Sequence, residues 1–210
     1  MSRGLPFRLL IITDRGACGD LVATLERALR GVPEGAVALM LREKDLPGGE
    51  LLALARRLRA LTRERGSLLL VNERLDVALA CEADGLHLPA AGLPIAKARA
   101  AAPSLLLGRS THAPEEAAAA EAAGADYLTF GPVHPTPSKA AYGAPPGLAG
   151  LAAARRACAL PLYGLGGIDL SRAPGVIAAG ADGVAGIRVV LEAPDPAAAV
   201  AGLLAATASR

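Results

Sequence analysis

Short apolar runs recur along the chain at intervals that suit alternating strands and helices. The runs are rich in Leu, Val and Ile and lack polar alternation, which is typical of strands buried on both faces. They cover residues 9–12, 37–41, 68–71, 85–88, 105–107, 127–130, 161–165 and 183–187. The pattern therefore predicts eight buried strands.

Segments with helical spacing lie between most of these runs. One apolar stripe consists of Leu51, Leu54, Ala55, Leu58 and Leu61, with arginines on the other faces of the same segment. Two further helices are predicted from their first residues. Pro114 is followed by two acids, and Asp195 precedes a proline, both of which are typical of helix starts.

Strand and helix thus alternate eight times, as in a parallel α/β domain. Eight units closed into a ring give a (β/α)8 TIM barrel, and 210 residues is the compact end of its size range. An open doubly wound sheet is the alternative. The barrel is favoured because the glycine-rich turns come late, after the seventh and eighth runs. No linker is visible, so we expect a single compact domain over residues 1–210.

Composition and charge restrict the classes of partner. The formal net charge is only +2 and no basic tract occurs, which argues against nucleic acid. Near the start of the chain the only uninterrupted apolar run is residues 9–12, too short for a signal peptide core or a membrane span. Cys18, Cys81 and Cys158 follow no metal or redox spacing. We therefore expect a cytoplasmic protein with free thiols and no membrane or nucleic-acid partner.

Reactive groups of such a barrel come from the C-terminal ends of its strands and the loops that follow. After the sixth run, residues 131–139 present the side chains of Thr136, Ser138 and Lys139 on a backbone that three prolines hold extended. Hydroxyl and ammonium donors without a nearby carboxylate suit an anion, above all a phosphate group. An ordinary proline-rich surface loop is the alternative.

Other strand ends supply matching groups. Residues 164–167 are glycine-rich, so their backbone N–H groups could approach a phosphate closely, although glycines in a turn also serve positive φ alone. Arg42 and Lys44 add positive charge for a phosphate or diphosphate, whereas a solvated charged turn is the other interpretation. The agreement of several loops favours a binding site.

Two histidines are interpreted differently. His112 follows Ser110 by two residues, so both side chains can point to the same side of an extended segment, and His112 could exchange protons near neutral pH. His87 lies within an apolar run, and we expect it to be a hydrogen-bonded core residue.

The motifs together resemble those of the thiamine phosphate synthase family, which includes related thiazole tautomerases. Matching stretches cover residues 12–14, 41–44, 71–76, 83–88, 108–112, 127–139 and 164–168. The resemblance extends over nearly the whole chain in order, and the loop that ends at Lys139 is its most specific element. It implies a (β/α)8 barrel.

The resemblance implies that the chain joins a hydroxymethylpyrimidine diphosphate to a thiazole phosphate and releases diphosphate. The positions that match those holding the diphosphate are Arg42, Lys44, Asn72, Ser110 and Lys139, of which Ser110 and Lys139 are the catalytic candidates. The positions that match those around the thiazole phosphate are Thr136, Ser138, Gly166, Gly167 and Ile187.

The chain departs from the family pattern at several positions. The resemblance implies Mg²⁺ as cofactor with Glu73 as ligand, in place of a family aspartate. A second expected aspartate is missing, because residues 89–92 read Pro-Ala-Ala-Gly. Met40 stands where a glutamine is expected. Arg188 replaces a serine and could neutralise phosphate charge.

Two alternatives to the synthase remain open at this stage. The stretches His-Leu-Pro and Arg-Ser-Thr-His also look like the thiazole tautomerase branch, in which His112 would act as catalytic acid and base. A barrel that binds thiazole phosphate without catalysis, as a regulator, is the other. Under each of these hypotheses the partners are small phosphorylated heterocycles. A homodimer is compatible with the resemblance, and the sequence does not decide the oligomeric state.

Overall fold

The computed structural model describes residues 5, 7–136 and 144–208 of the chain. Within these residues eight parallel strands are hydrogen-bonded in chain order, and the eighth pairs with the first to close a barrel. The strands are β1 Leu9–Ile12, β2 Val37–Leu41, β3 Leu68–Asn72, β4 Gly85–Leu88, β5 Leu106–Thr111, β6 Tyr127–Phe130, β7 Leu162–Leu165 and β8 Gly183–Gly186. The predicted (β/α)8 barrel is confirmed.

Helices surround this barrel and connect its strands. They are α1 Leu21–Ala28, α2 Gly48–Glu64, α3 Leu75–Ala80, α4 Ile95–Ala101, α5 Pro114–Ala122, α6 Gly147–Ala157, α7 Ala173–Ala178, α8 Arg188–Leu191 and α9 Pro196–Ala206. In the part of the chain that the structure describes, none of the helices is both long enough and apolar enough to cross a membrane.

The predicted helix signals are confirmed. The α2 stripe is buried at Leu51, Ala55, Leu58 and Leu61, while Leu54 is half-buried. Helix α5 begins at Pro114. At the start of α9 the Asp195 carboxylate accepts hydrogen bonds from the backbone N–H groups of residues 197 and 198, at 3.0 and 3.1 Å.

Strand β5 is longer than its apolar run predicts, because it continues through Arg109, Ser110 and Thr111. Parallel pairing with β6 holds all three residues in the strand, and Arg109 is also paired with β4. Successive side chains alternate between the two faces of a strand. Arg109 therefore points outward, where its guanidinium donates to the carbonyls of Ala90 and Leu93, at 2.7 and 3.0 Å. Ser110 shares the inner face with Gly108.

Two apolar layers hold the molecule together. The larger one lies between the outer faces of the strands and the helices. The smaller one fills the barrel interior, where the Phe7 and Tyr163 rings stack with centroids 4.6 Å apart and the Tyr127 ring meets Phe7 edge-on at 5.8 Å. The interior is therefore closed by packed side chains, and ligands can enter only at its ends.

Three carboxylates tie helices to the N-terminal end of the barrel. Asp84, Asp126 and Asp182 precede β4, β6 and β8, and each accepts a hydrogen bond from the first or second backbone N–H of a neighbouring strand, at 2.7 to 2.9 Å. Each also binds an arginine of a preceding helix, in the pairs Asp84–Arg59, Asp126–Arg99 and Asp182–Arg155. These clamps stabilise one face of the barrel, and chemistry is expected at the other.

Candidate functional site

Polar side chains line one half of the barrel mouth. Asn72, His87, Ser110 and Thr129 follow one another on the inner faces of β3, β4, β5 and β6. The strand register brings them to nearly the same height: Asn72 is paired with His87, and Ser110 with Thr129. Asn72 and Ser110 are half-buried, so both can reach a ligand above the barrel.

The other half of the mouth is apolar. Ile12, Met40, Leu165 and Ile187 belong to, or pack against, the interior cluster. Ile12 and Met40 are almost fully buried, whereas Leu165 and Ile187 are half-buried. A flat heterocycle placed over the barrel would therefore meet hydrocarbon on one side and hydrogen-bonding groups on the other.

A buried network connects His87 to its neighbours. Nδ1 of His87 lies 3.1 Å from the Tyr127 hydroxyl, and Nε2 lies 2.8 Å from Oγ of Ser110. His87 is only 2% exposed, and this burial lowers its pKa to about 3. The imidazole is therefore neutral at physiological pH. The prediction of a hydrogen-bonded core histidine is confirmed.

Two cationic residues, Arg42 and Lys44, follow β2. The two acids of this turn, Glu43 and Asp45, are both bound by Arg15, at 3.4 and 2.7 Å. Among the residues that the structure describes, neither Arg42 nor Lys44 has a carboxylate within 4.0 Å. Arg42 is half-buried, and its backbone N–H donates to the Thr13 hydroxyl at 2.9 Å. Because Arg15 pairs with both acids, the cations of this turn can bind an anion.

The loops after β6 and β7 lie side by side. Val133 N–H donates to the Leu165 carbonyl at 2.8 Å, and His134 N–H to the Gly166 carbonyl at 3.0 Å. A Cβ on Gly166 would lie 2.8 Å from Pro132 Cα, so only glycine permits this approach. The structure thus brings the segment that ends at Thr136 next to the glycine turn, as one phosphate site requires.

Glu73 follows β3 with its side chain exposed. Its backbone has a positive φ of 65°, and its N–H donates to the His87 carbonyl at 2.8 Å. Within the described residues, no group of three or more His, Cys, Asp or Glu side chains could hold a metal. Any Mg²⁺ bound here would therefore depend on substrate oxygens as well as on Glu73.

The remaining predicted residues are placed as follows. Ser138 and Lys139 lie outside the described residues. Arg188 is exposed, and its Nε is 3.2 Å from Oε1 of Glu192. His112 lies just beyond β5, where it is exposed and a ring nitrogen bonds to the Gly131 carbonyl. In the part of the chain that the structure describes, Ser110 hydrogen-bonds to the ring of His87 and not to the ring of His112.

Sequence reasoning missed two residues of this site. Tyr127 was taken only as part of an apolar strand, yet its hydroxyl contacts His87. Arg15 was not among the predicted site residues, yet it binds Glu43 and Asp45, the two acids that would otherwise neutralise Arg42 and Lys44. Gly108, two residues before Ser110, was an available signal for Tyr127, because a glycine in a strand interior marks a close approach.

Comparison with known proteins identifies the family. The family model described as thiamine monophosphate synthase matches residues 9–190. The chain belongs to the thiamine monophosphate synthase family. The resemblance inferred from its motifs is confirmed.

Two relatives and one solved structure match this chain over most of their length. A putative thiamine-phosphate synthase of Geobacter sulfurreducens is 50% identical over 202 residues, which cover 95% of this chain and 93% of the relative. The thiamine-phosphate synthase of Moorella thermoacetica is 50% identical over 177 residues, 84% of each chain. The thiamine phosphate pyrophosphorylase of Pyrococcus furiosus superposes with a TM-score of 0.88 at 37% identity, covering 97% of this chain and 96% of that chain.

These comparisons support thiamine-phosphate synthase over the tautomerase alternative. The chain is accordingly an enzyme of thiamine biosynthesis, a transferase of the diphosphorylase type.

Proposed function

We propose that the mouth of this barrel joins hydroxymethylpyrimidine diphosphate to thiazole phosphate and releases diphosphate. The carbon–oxygen bond between the pyrimidine methylene and the diphosphate breaks, and a bond from that methylene to the thiazole nitrogen forms. The observation that carries the proposal is the position of two cations, Arg42 and Lys44, beside the polar half of the mouth, with no carboxylate of the described residues within 4.0 Å of either.

The diphosphate would lie against this polar half. Arg42 and Lys44 supply positive charge, while Asn72 on β3 and Ser110 on β5 supply neutral donors. The resemblance adds Lys139, which lies outside the described residues. Charge grows on the diphosphate as its bond to carbon breaks, so fixed cations and donors stabilise the transition state more than the ground state.

The thiazole phosphate would lie between the loops after β6 and β7. Thr136 and Ser138 would donate hydroxyl groups, and the turn at Gly166 and Gly167 would let backbone N–H groups approach the phosphate. The hydrogen bonds between these loops support the proposal, because they hold both loops at one edge of the mouth. Ile187 lies after the neighbouring strand, β8, and packs against the interior cluster.

The apolar half of the mouth suits the pyrimidine-methyl cation that forms when diphosphate leaves. Leu165 and Ile187 are half-buried and offer hydrocarbon surface instead of water or another nucleophile, while Ile12 and Met40 belong to the buried cluster against which they pack. Exclusion of water protects a reactive cation until the thiazole nitrogen captures it.

Magnesium fits this site only as an ion shared with the substrate. Glu73 would hold it through one carboxylate, and diphosphate oxygens would supply further ligands. Bound in this way, Mg²⁺ would neutralise charge on the departing diphosphate. Arg188 could do the same for a phosphate group if it exchanged its partner Glu192 for the ligand.

Compartment and assembly are proposed on simpler grounds. Cys81 and Cys158 are free thiols whose pKa values burial raises, as suits a reducing cytoplasm. A homodimer is proposed from the family resemblance, and sedimentation equilibrium would test it.

The experiment that tests the proposed function measures diphosphate release. Wild-type protein with both substrates and Mg²⁺ should form equal amounts of diphosphate and thiamine phosphate. Arg42→Ala and Lys139→Ala should each lower kcat/KM at least tenfold, because each removes a charge that contacts the leaving group. Arg56→Ala is the control, since Arg56 is exposed on the outer side of α2. Turnover of a thiazole carboxylate phosphate without diphosphate release would contradict the proposal.

A further inference from the structure

Gly108 allows two residues from non-adjacent strands to meet inside the barrel. His87 on β4 is in register with Gly108 on β5, and Gly108 is in register with Tyr127 on β6. A Cβ on Gly108 would overlap the Tyr127 ring. Because Gly108 has no side chain, the ring crosses β5 and brings its hydroxyl to 3.1 Å from Nδ1 of His87.

The protons in this cluster follow from the available partners. Tyr127 is fully buried, and burial raises its pKa, so its hydroxyl keeps its proton. Among the described residues the acceptor for that proton is Nδ1 of His87. Nδ1 is therefore unprotonated, and the neutral imidazole carries its proton on Nε2. Nε2 then donates to Oγ of Ser110 over 2.8 Å.

This arrangement decides what Ser110 offers to an anion. Because Oγ accepts from His87, its own proton remains available for another acceptor. Thr129 Oγ1 lies 3.5 Å away, at the limit of hydrogen bonding. In the opposite tautomer Ser110 would donate to His87 and present only lone pairs to a phosphate oxygen. The tautomer of His87 thus determines whether Ser110 attracts or repels a diphosphate.

We propose that Tyr127 and His87 are positioning residues that hold the Ser110 hydroxyl as a hydrogen-bond donor toward the leaving diphosphate. This inference rests on the proposed function, in which Ser110 contacts that group. Neither Tyr127 nor His87 needs to touch the diphosphate, since both act through Ser110.

Two tyrosines provide a matched pair of variants. Tyr127→Phe removes the donor that fixes Nδ1 as an acceptor. Tyr163→Phe removes a hydroxyl from the same aromatic cluster, but that hydroxyl donates to the Phe7 carbonyl at 2.9 Å and not to His87. Each variant loses one buried hydrogen bond, but only Tyr127→Phe removes the bond that fixes the tautomer of His87.

The measurement is the affinity for inorganic diphosphate by calorimetry, in the wild-type and Ser110→Ala backgrounds. Tyr127→Phe should weaken binding about five- to tenfold, the effect of one misdirected hydrogen bond. Tyr163→Phe should leave the affinity unchanged. In the Ser110→Ala background Tyr127→Phe should cause no further loss, because the group it directs is absent. Nitrogen-15 NMR of the wild type should show the Nε2–H tautomer of His87.

The results separate the inference from the proposed function. If Ser110→Ala binds diphosphate as tightly as the wild type, the diphosphate site is wrong and the inference falls with it. If Ser110→Ala weakens binding but Tyr127→Phe does not, the inference alone is overturned. An equal loss from Tyr127→Phe in both backgrounds, or an Nδ1–H tautomer in the wild type, would likewise overturn it.

Discussion

Gly166 and Gly167 have positive φ angles of 102° and 61° where the loops after β6 and β7 touch. A Cβ on Gly167 would lie 2.8 Å from the Pro135 carbonyl oxygen, just as one on Gly166 would meet Pro132. Both backbone angle and close approach therefore require glycine here. Single residues in this turn set the shape of the proposed phosphate site.

Gly166→Ala should damage this site selectively. The strained φ and the contact with Pro132 should together cost about 1 to 3 kcal/mol of stability and separate the two loops. We expect the KM for thiazole phosphate to rise at least tenfold and the KM for the pyrimidine diphosphate to change little. Gly124→Ala is the control, because Gly124 has a φ of 89° but no atom near an added Cβ. An equal rise in the KM for thiazole phosphate in Gly166→Ala and Gly124→Ala would contradict the assignment of the Gly166 turn to the phosphate site.

His87 also predicts a dependence of stability on pH. Its pKa is about 3 in the folded protein and close to 6.5 in a model peptide, so the unfolded chain binds a proton first as pH falls. Its contribution is complete above pH 6.5 and is lost progressively down to about pH 3. The free energy of unfolding should therefore fall by up to about 1.4 kcal/mol per pH unit below pH 6 on account of this residue.

Urea unfolding of the wild type and His87→Gln at pH 7, 6 and 5 would measure this slope. The free energy of unfolding of His87→Gln should fall less steeply as pH is lowered, because this variant lacks the imidazole that must stay neutral in the folded state. A remaining decrease is expected from His134, whose pKa burial also lowers. If the free energy of unfolding falls equally with pH in both proteins, His87 ionises freely in the folded state and the prediction is wrong.

At the scale of elements, residues that stabilise the fold and residues that line the mouth lie on different faces or different ends of the strands. On β5 the outward Arg109 anchors the loop after β4, whereas the inward Ser110 lines the mouth. At the opposite end, carboxylates such as Asp84 join a strand to a helix through a backbone N–H and an arginine. Stability and chemistry therefore depend on different residues of the same elements.

Asp84→Ala should destabilise the fold without changing the mouth. It leaves the Leu69 N–H and the Arg59 guanidinium without their partner, in a place where both are largely buried. We expect a loss of about 2 to 4 kcal/mol in urea unfolding, with kcat unchanged in the folded protein. Asp76→Ala removes an exposed pair with Arg74 and should cost far less. A larger loss of unfolding free energy for Asp76→Ala than for Asp84→Ala would contradict the stabilising role of these carboxylates.

At the scale of the whole molecule, the ring closes because eight strands pair in sequence order and β8 returns to β1. Closure brings β3 to β6 together as a polar half of the mouth and places the apolar residues of β1, β2, β7 and β8 opposite. The fold itself thus produces a site that can hold charged groups on one side and a ring or cation on the other.

Much of this architecture could be predicted from sequence for a physical reason. Strands buried on both faces require apolar runs, and the carboxyl ends of parallel strands converge, so the positions of Arg42, Asn72 and Ser110 implied a common site. Contacts across a strand leave no such periodic signal. Only the structure therefore reveals that the Tyr127 hydroxyl contacts His87 across Gly108. The same holds for the ion pair between Arg15 and Glu43.

A crystal structure with inorganic diphosphate and thiazole phosphate would test the central claim most directly. We predict diphosphate oxygens within hydrogen-bonding distance of Arg42, Asn72 and Ser110, and the thiazole phosphate beside Gly166. A different location is available, because residues of α4, β5 and α5, Ser110 among them, line a cavity of about 350 Å³. Ligands in that cavity, with the mouth unchanged, would contradict the account.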